Sequence, residues 1–345
     1  RPADDAPAAM TSLPTLQDVF RARRTLRGRV RRTPLVPSPS LGERAGAPVH
    51  LKLEHLQVTG SFKVRGATVA ISNLSDEQRA RGVVGVSTGN HGRGLAHAAK
   101  EAGVRAVICM SRLVPGNKID GIRALGAEIR IVGRSQDEAQ VEAERLARED
   151  GLAMLPPFDH PDVIAGQGTL GLELVEDLPE VETVLVPLSG GGLIAGVALA
   201  VKTACPNARV IGITMRRGAA MYESQRAGRP VAVEEVASLA DSLGGGIGED
   251  NRYTFAMVRE LVDEMLLVDE ERIAAGVRHA YLEERQVIEG GAAVGITVLL
   301  DGMVERPGTT AVILSGCNVD MALHLRLIRG ETVDLEAGSR KDGQP

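Results

Sequence analysis

The chain has 345 residues and a formal net charge of −5, with 43% hydrophobic and 25% charged residues. That balance fits a globular protein with a sizeable core and excludes a basic nucleic-acid or anionic-membrane surface. With no Trp, three Tyr and four Phe, the core must be built mainly of aliphatic side chains.

No apolar run reaches the length of a bilayer span, and "RPADDAPAAM" at the start lacks the apolar stretch of a secretory signal. Met10 reads as a natural start, so residues 1–11 are expected to form a disordered extension. Cys109, Cys205 and Cys317 are too few and too scattered for a disulfide framework or a zinc site. The expectation is a cytoplasmic protein with reduced thiols.

In chain order, the first distinctive stretch is "LQVTGSFKVRGA" (56–67), which sets Lys63 between Phe62 and Arg65. A lysine amine forms a Schiff base with an aldehyde when its pKa is lowered enough to make it nucleophilic. An apolar neighbour such as Phe62 and a cation such as Arg65 both push in that direction. An ordinary exposed lysine at a helix start is the alternative.

"RGVVGVS" (81–87) reads as a strand and "NHGRGLAHAAKEAG" as the helix after it. Between them, "STGNHG" (87–92) places Ser87, Thr88 and Asn90 where side chains and turn N–H groups suit a carboxylate or a ring hydroxyl. Asn90 could equally be a simple helix cap. "VRAVICM" with "PGNKIDGIRALGA" repeats the unit, and "EIRIVG" begins another. Ser135, at capping-box spacing from Glu138, starts the next helix.

"VETVLVPLSGGG" then leads into the helix "LIAGVALAVKTA". Successive glycine N–H groups at a helix start make an anion cradle suited to phosphate. A ligand-free turn is the bland reading, and the entropic cost of three glycines weighs against it. Gly190, Gly192 and Gly196 also have dinucleotide-fingerprint spacing, and "ARVIGITM" runs into Arg216 and Arg217, which could meet a 2′-phosphate. The stretch 225–260 is the least regular. "TTAVILSG" and a last helix close the pattern, with Ser315 in "LSGCN" either facing a ligand or capping that helix.

Strand–helix alternation over this length argues for an α/β fold of parallel sheets with helices on both faces. Ligands are then expected in the loops after the strands.

"SFKVRGA", "STGNHG", "AGQGT", "SGGGL" and "LSGCN" occur in the order and spacing of the fold-type II (tryptophan synthase β-like) pyridoxal-phosphate enzymes. The chain resembles their serine/threonine dehydratase branch over residues 12–330. "STGNHGRGLAHAA", "CMSRLVP" and "SLGGGIG" are most similar to dehydratases of hydroxyectoine utilisation. The resemblance implies two parallel-sheet α/β domains: a large cofactor-binding domain of 12–76 and 158–330, and a small one of 77–157. A disordered tail, 331–345, would follow.

It also implies pyridoxal 5′-phosphate as cofactor, carried on Lys63, with Phe62 against its ring and Asn90 on the ring hydroxyl. Ser189, Gly190, Gly191, Gly192 and Leu193 would cradle its phosphate, and Ser315 would face the pyridine nitrogen. Ser87, Thr88, Asn90 and His91 would surround the substrate carboxylate. The implied reaction is β-elimination of water from a small hydroxy amino acid, giving a 2-oxo acid and ammonia. Lys63 would remove the α-proton, in a homodimeric enzyme.

Three departures qualify this. Racemases and some hydroxyaspartate dehydratases of the family hold a divalent metal after the strand that follows the glycine loop. Here "TMRRGAAM" offers Met215, Ala219 and Met221, so no metal is expected. Thr88 stands where racemases carry a second acid/base serine; its hydroxyl leaves racemisation open. The length leaves no room for the regulatory domain of biosynthetic threonine deaminases. Arg112 could select an acidic substrate group or simply be solvated. Two rivals remain at this point: an NADP-dependent oxidoreductase using Gly190–Gly196, and a catalytically silent amino-acid sensor on the same fold.

Overall fold

The computed structural model describes residues 12–335, except residues 88, 113, 115 and 135 and the side chains of 116–118, 136 and 137. The segment 1–11, the cap at Ser135 and the tail beyond 335 lie outside the described residues.

Ten strands form two sheets. They are β1 (Leu35–Pro37), β2 (Val49–Lys52), β3 (Val83–Val86), β4 (Ala106–Met110), β5 (Glu128–Ile131), β6 (Ala153–Met154), β7 (Thr183–Pro187), β8 (Arg209–Met215), β9 (Glu264–Val268) and β10 (Thr310–Ile313). The larger sheet has the order β1-β2-β10-β7-β8-β9, and the smaller β5-β4-β3-β6. Among the strand pairs of the described residues, β1–β2 is antiparallel and the others are parallel.

The larger sheet is covered on both faces, which is why its strands are almost continuously apolar. Leu185, Ile211, Ile213 and Val312 pack on one face with Ile273, Val277, Ala292 and Val294 from the helices Glu270–Leu282 and Gly290–Leu300. Val184, Val186, Val210 and Ala311 point the other way, toward Leu170, Leu174, Ile194 and Val197 of Pro161–Asp177 and Gly192–Ala204. The period-two alternation of strand side chains sends neighbours to opposite cores. Among the described residues no helix is long and apolar enough to cross a membrane.

The helix Lys63–Ser72 joins the two halves. A Cβ on Gly94 would lie 3.0 Å from Val64 N, and one on Gly166 would lie 2.6 Å from Gly66 Cα. Helices Asn90–Glu101 and Pro161–Asp177 therefore meet it backbone to backbone, which only glycine permits.

The same helix is anchored by a buried ion network. Arg65 Nη2 donates to Glu54 Oε1 at 2.6 Å and Arg65 Nη1 to Glu173 Oε1 at 2.7 Å, while Lys52 Nζ donates to Glu173 Oε2 at 2.7 Å. Burial pushes the Glu173 pKa up, but Arg65 and Lys52 outweigh it and hold the carboxyl below its ordinary range. Removing one member leaves buried charge uncompensated. Glu173→Gln is expected to cost about 3 kcal/mol in denaturant unfolding at pH 7. Because the folded pKa is depressed, the stabilisation is present above the ordinary value of 4.5 and lost as pH falls through the folded one. The gap between wild type and variant should therefore close in acid; a constant gap would assign the effect to packing.

Candidate active site

The sequence motifs meet at the C-terminal ends of parallel strands. Lys63 opens its helix directly after the bridge that pairs Ser61 with Gly316, and Phe62 N donates to Ser315 O at 3.1 Å. Ser315 follows β10 and is itself buried. Lys63 Nζ donates to Pro157 O at 2.8 Å and lies 5.3 Å from the Phe62 ring centroid.

Desolvation lowers the Lys63 pKa to about 8, against the raising influence of the Glu289 carboxylate. Arg65 does not supply the expected cationic push, because its guanidinium turns away and is neutralised by Glu54 and Glu173. Dehydration is what tunes the amine.

The residue after Pro157 completes the geometry. A Cβ on Gly190 would run into the Phe158 ring, and one on Gly192 would lie 2.9 Å from Phe158 Cα. The Pro157–Phe158 pair therefore touches Lys63 with one residue and the glycine loop with the next. Asp159 fixes this segment by accepting from Arg252, Tyr253 and Thr254 N at 2.7, 2.9 and 2.9 Å. The loop itself runs from β7 through half-buried Ser189 and Gly190 to Gly191, which caps the helix Gly192–Ala204 with φ +92°. Leu193 is buried in the first turn.

Opposite lies a polar cluster. Asn90 Nδ2 donates to Glu289 Oε1 at 2.7 Å, Asn318 N to Glu289 Oε2 at 3.1 Å, and Asn318 Nδ2 to Asn90 Oδ1 at 2.6 Å. Burial, and next the nearby Asp241, raise the Glu289 pKa to about 7. His91 Nε2 must carry its proton to donate to Leu155 O at 2.9 Å, and burial with the Lys63 charge depresses its pKa to about 3. Ser87 Oγ accepts from Gly89 N at 3.2 Å, shaping the turn. Thr88 lies outside the described residues. Arg112 is exposed.

Sequence reasoning missed Glu289, Asn318, Pro157 and Phe158. Asn318 lay inside "LSGCN", and Glu289 stands at the cap of an apolar helix that starts with two glycines. Gln167 of "AGQGT" accepts from Gly66 N at 3.2 Å and so supports the helix of Lys63 from behind.

The site has the features a phosphate-bearing aldehyde requires. Ser61 Oγ and Thr59 Oγ1 are buried beside Lys63 without a hydrogen-bond partner, an arrangement that buried hydroxyls rarely adopt. The glycine loop aims its backbone at a helix N-terminus, and the nearby amine has a lowered pKa. These features fit an aldehyde on Lys63 and a phosphate at the loop.

The family model described as "Pyridoxal-phosphate dependent enzyme" matches residues 26–316. The chain belongs to that family. A Sinorhizobium fredii protein provisionally named a threonine dehydratase is 61% identical, covering 92% of this chain and 96% of its own length. The L-threonine ammonia-lyase of Thermotoga maritima is 43% identical, covering 91% and 78%. Maize serine racemase superposes with a TM-score of 0.86 at 31% identity, covering 92% of this chain and 98% of its own.

The fold is fold-type II, the cofactor is pyridoxal phosphate, and the chain falls with the threonine dehydratase-like lyases. The nicotinamide rival loses ground in the structure too, since Arg216 Nε is engaged with Asp269 Oδ1 at 2.7 Å.

Proposed function

We propose that this chain is a dehydratase that eliminates water from a small hydroxy amino acid, releasing a 2-oxo acid and ammonia. The observation that carries the reading is the desolvated Lys63 amine, joined through Pro157–Phe158 to the glycine loop. When bound, pyridoxal phosphate supplies the electron sink that makes the substrate Cα–H acidic.

The residues divide the remaining work. Backbone N–H groups of Ser189, Gly190, Gly191, Gly192 and Leu193 would hold the phosphate, and Phe62 would pack against the ring. Ser315, buried after β10, would be a neutral partner for the pyridine nitrogen, a setting that suits elimination better than reprotonation. Lys63, whose desolvated amine has its pKa lowered to about 8, would be the base for the Cα proton in its neutral form. Ser87, Thr88, Asn90 and His91 receive the substrate carboxylate, and neutral His91 offers no charge that would compete. Glu289 and Asn318 fix the Asn90 amide toward the ring hydroxyl.

The substrates this chemistry fits are L-threonine, L-serine and a hydroxylated diaminobutyrate or other hydroxyectoine-derived compound. The stretch "STGNHGRGLAHAA" supports the last. The enzyme works as a cytoplasmic homodimer without a divalent metal, each chain having a large domain of 12–76 and 158–330 and a small one of 77–157. Met215, Ala219 and Met221 offer no anionic oxygen to a hard cation. A keto-acid screen over these compounds, with and without EDTA, tests the reading. Keto acid should form faster than the opposite enantiomer and survive chelation. Racemisation outpacing keto-acid release would sink the dehydratase assignment, and activity restored by magnesium after chelation would sink the metal claim.

Glu289 gives a pH test. Its carboxylate raises the Lys63 pKa, so Glu289→Gln should shift the pH midpoint of cofactor capture by apoprotein to lower pH. Its own folded pKa is raised, so ionising it costs stability as pH rises from 4.5 toward about 7. The variant should therefore gain thermal stability at pH 8 and not at pH 4. An unmoved capture midpoint would dissociate Glu289 from Lys63.

A further inference from the structure

The chain crosses from the smaller sheet to the larger between β6 and the helix Pro161–Asp177, and this short segment touches several parts of the site in turn. Leu155 O accepts from His91 Nε2 at 2.9 Å, and Pro157 O from Lys63 Nζ at 2.8 Å. Phe158 occupies the space that a Cβ on Gly190 or Gly192 would need. Asp159, next in line, turns to a different element.

Its carboxylate binds the start of a helix distant in sequence. Arg252 N donates to Oδ2 at 2.7 Å, and Tyr253 N and Thr254 N each donate to Oδ1 at 2.9 Å. These N–H groups open the helix Thr254–Leu261, whose N-cap Tyr253 makes no side-chain cap of its own. An anion at that end satisfies donors the helix leaves open, through charge-assisted bonds. Thr254 and Val258 of the capped helix are buried, and they stand 3.1 and 3.2 Å from where a Cβ on Gly191 would lie.

The glycine loop is therefore held from two sides. Phe158 bounds Gly190 and Gly192, Thr254 and Val258 bound Gly191, and Asp159 ties the two sides together. Two residues before Asp159, Pro157 holds the amine. Taking the cofactor to lie as in the proposed function, we infer that Asp159 is a positioning residue: it sets the separation between the Lys63 amine and the phosphate loop. A helix cap alone would account for the three hydrogen bonds but not for their place. The capped helix packs on one glycine, and the neighbour of the capping residue packs on the other two. A ligand held at two points gains from the second only when the spacing matches.

The test compares uptake of two aldehydes by the full chain stripped of cofactor. Pyridoxal phosphate engages both anchors, and pyridoxal engages Lys63 alone; absorption and borohydride trapping read the uptake. Wild type should prefer the phosphorylated aldehyde. Asp159→Ala should cut that preference about tenfold or more. Asp159→Asn, whose Oδ1 can still accept from Tyr253 N and Thr254 N, should lose less, and it carries the test if the alanine variant does not fold. Loosening Pro157 admits water to an amine whose pKa is low through desolvation, so the pH midpoint of pyridoxal uptake should rise in the same order. Glu289 and His91, the titratable neighbours of that amine, are unchanged in every variant.

Ser75→Ala is the control. Ser75 Oγ accepts from Gln78 N at 3.1 Å and caps the helix Asp76–Arg81, which buries no residue. Its loss should lower the melting temperature and leave preference and midpoint as in wild type. Preference unmoved in both Asp159 variants, or moved as much by Ser75→Ala, would overturn the proposal. A reduced preference with a fixed midpoint would overturn the hold on the amine. A wild type that takes up both aldehydes alike is a separate failure: it removes the phosphate from the loop, and the role of Asp159 falls with that placement.

Discussion

Lys63→Ala is expected to abolish keto-acid formation, leaving less than about one part in a thousand of the wild-type rate. Two roles vanish with one amine: the covalent tether for the cofactor aldehyde and the base at the substrate Cα. The buried Lys52 cannot replace it, because Glu173 and Thr33 hold its amine. The fold should survive. Lys63 is the first residue of its helix, and its amine donates to Pro157 O. Leaving that carbonyl unpaired costs roughly 1–2 kcal/mol, offset in part by removing a desolvated amine. Circular dichroism should match wild type, while borohydride should no longer trap cofactor on the chain. A variant that stays coloured, is trapped by borohydride and turns over would place the tether on another residue.

How much of this was legible in the sequence depended on the kind of residue. The motif loops were readable because glycine runs and a lysine set between an aromatic residue and an arginine have few other uses. "VETVLVP", "ARVIGITM" and "TTAVILSG" gave strands at 183–187, 209–215 and 310–313, since strands buried on both faces are nearly all apolar. β1 and β6 are three and two residues long, too short for any periodicity to form. The electrostatics were harder. Arg65 is two residues from Lys63 in sequence, yet helix geometry turns the two side chains to different faces and gives Arg65 to Glu54 and Glu173. Glu289 is more than two hundred residues away and reaches Lys63 only because β10 brings Gly316 beside Ser61. Nearness in sequence misled for Arg65. Distance in sequence concealed Glu289.

Gly191→Val is expected to weaken pyridoxal-phosphate affinity by about a hundredfold, close to 2.7 kcal/mol. Gly191 holds φ at +92°, a conformation that a β-branched residue adopts only under strain. Its Cβ would also stand 2.9 Å from Met221 Cε and 3.1 Å from Thr254 Cβ. Relief requires the loop to swing, and the loop is the N-cap of Gly192–Ala204, so the N–H groups aimed at a phosphate lose their common focus. Because Met221 and Thr254 belong to the core around that helix, thermal stability should fall as well. Affinity must therefore be read on protein that is still folded, by equilibrium titration of the cofactor well below the melting transition. Gly228→Ala supplies the control: it also has positive φ, at +74°, but its Cβ would meet nothing within 4 Å. The control should lose a little stability and no cofactor affinity. If Gly191→Val binds pyridoxal phosphate as wild type does, the phosphate does not sit at this loop; if it loses a response to NADPH instead, the dinucleotide reading of Gly190–Gly196 returns.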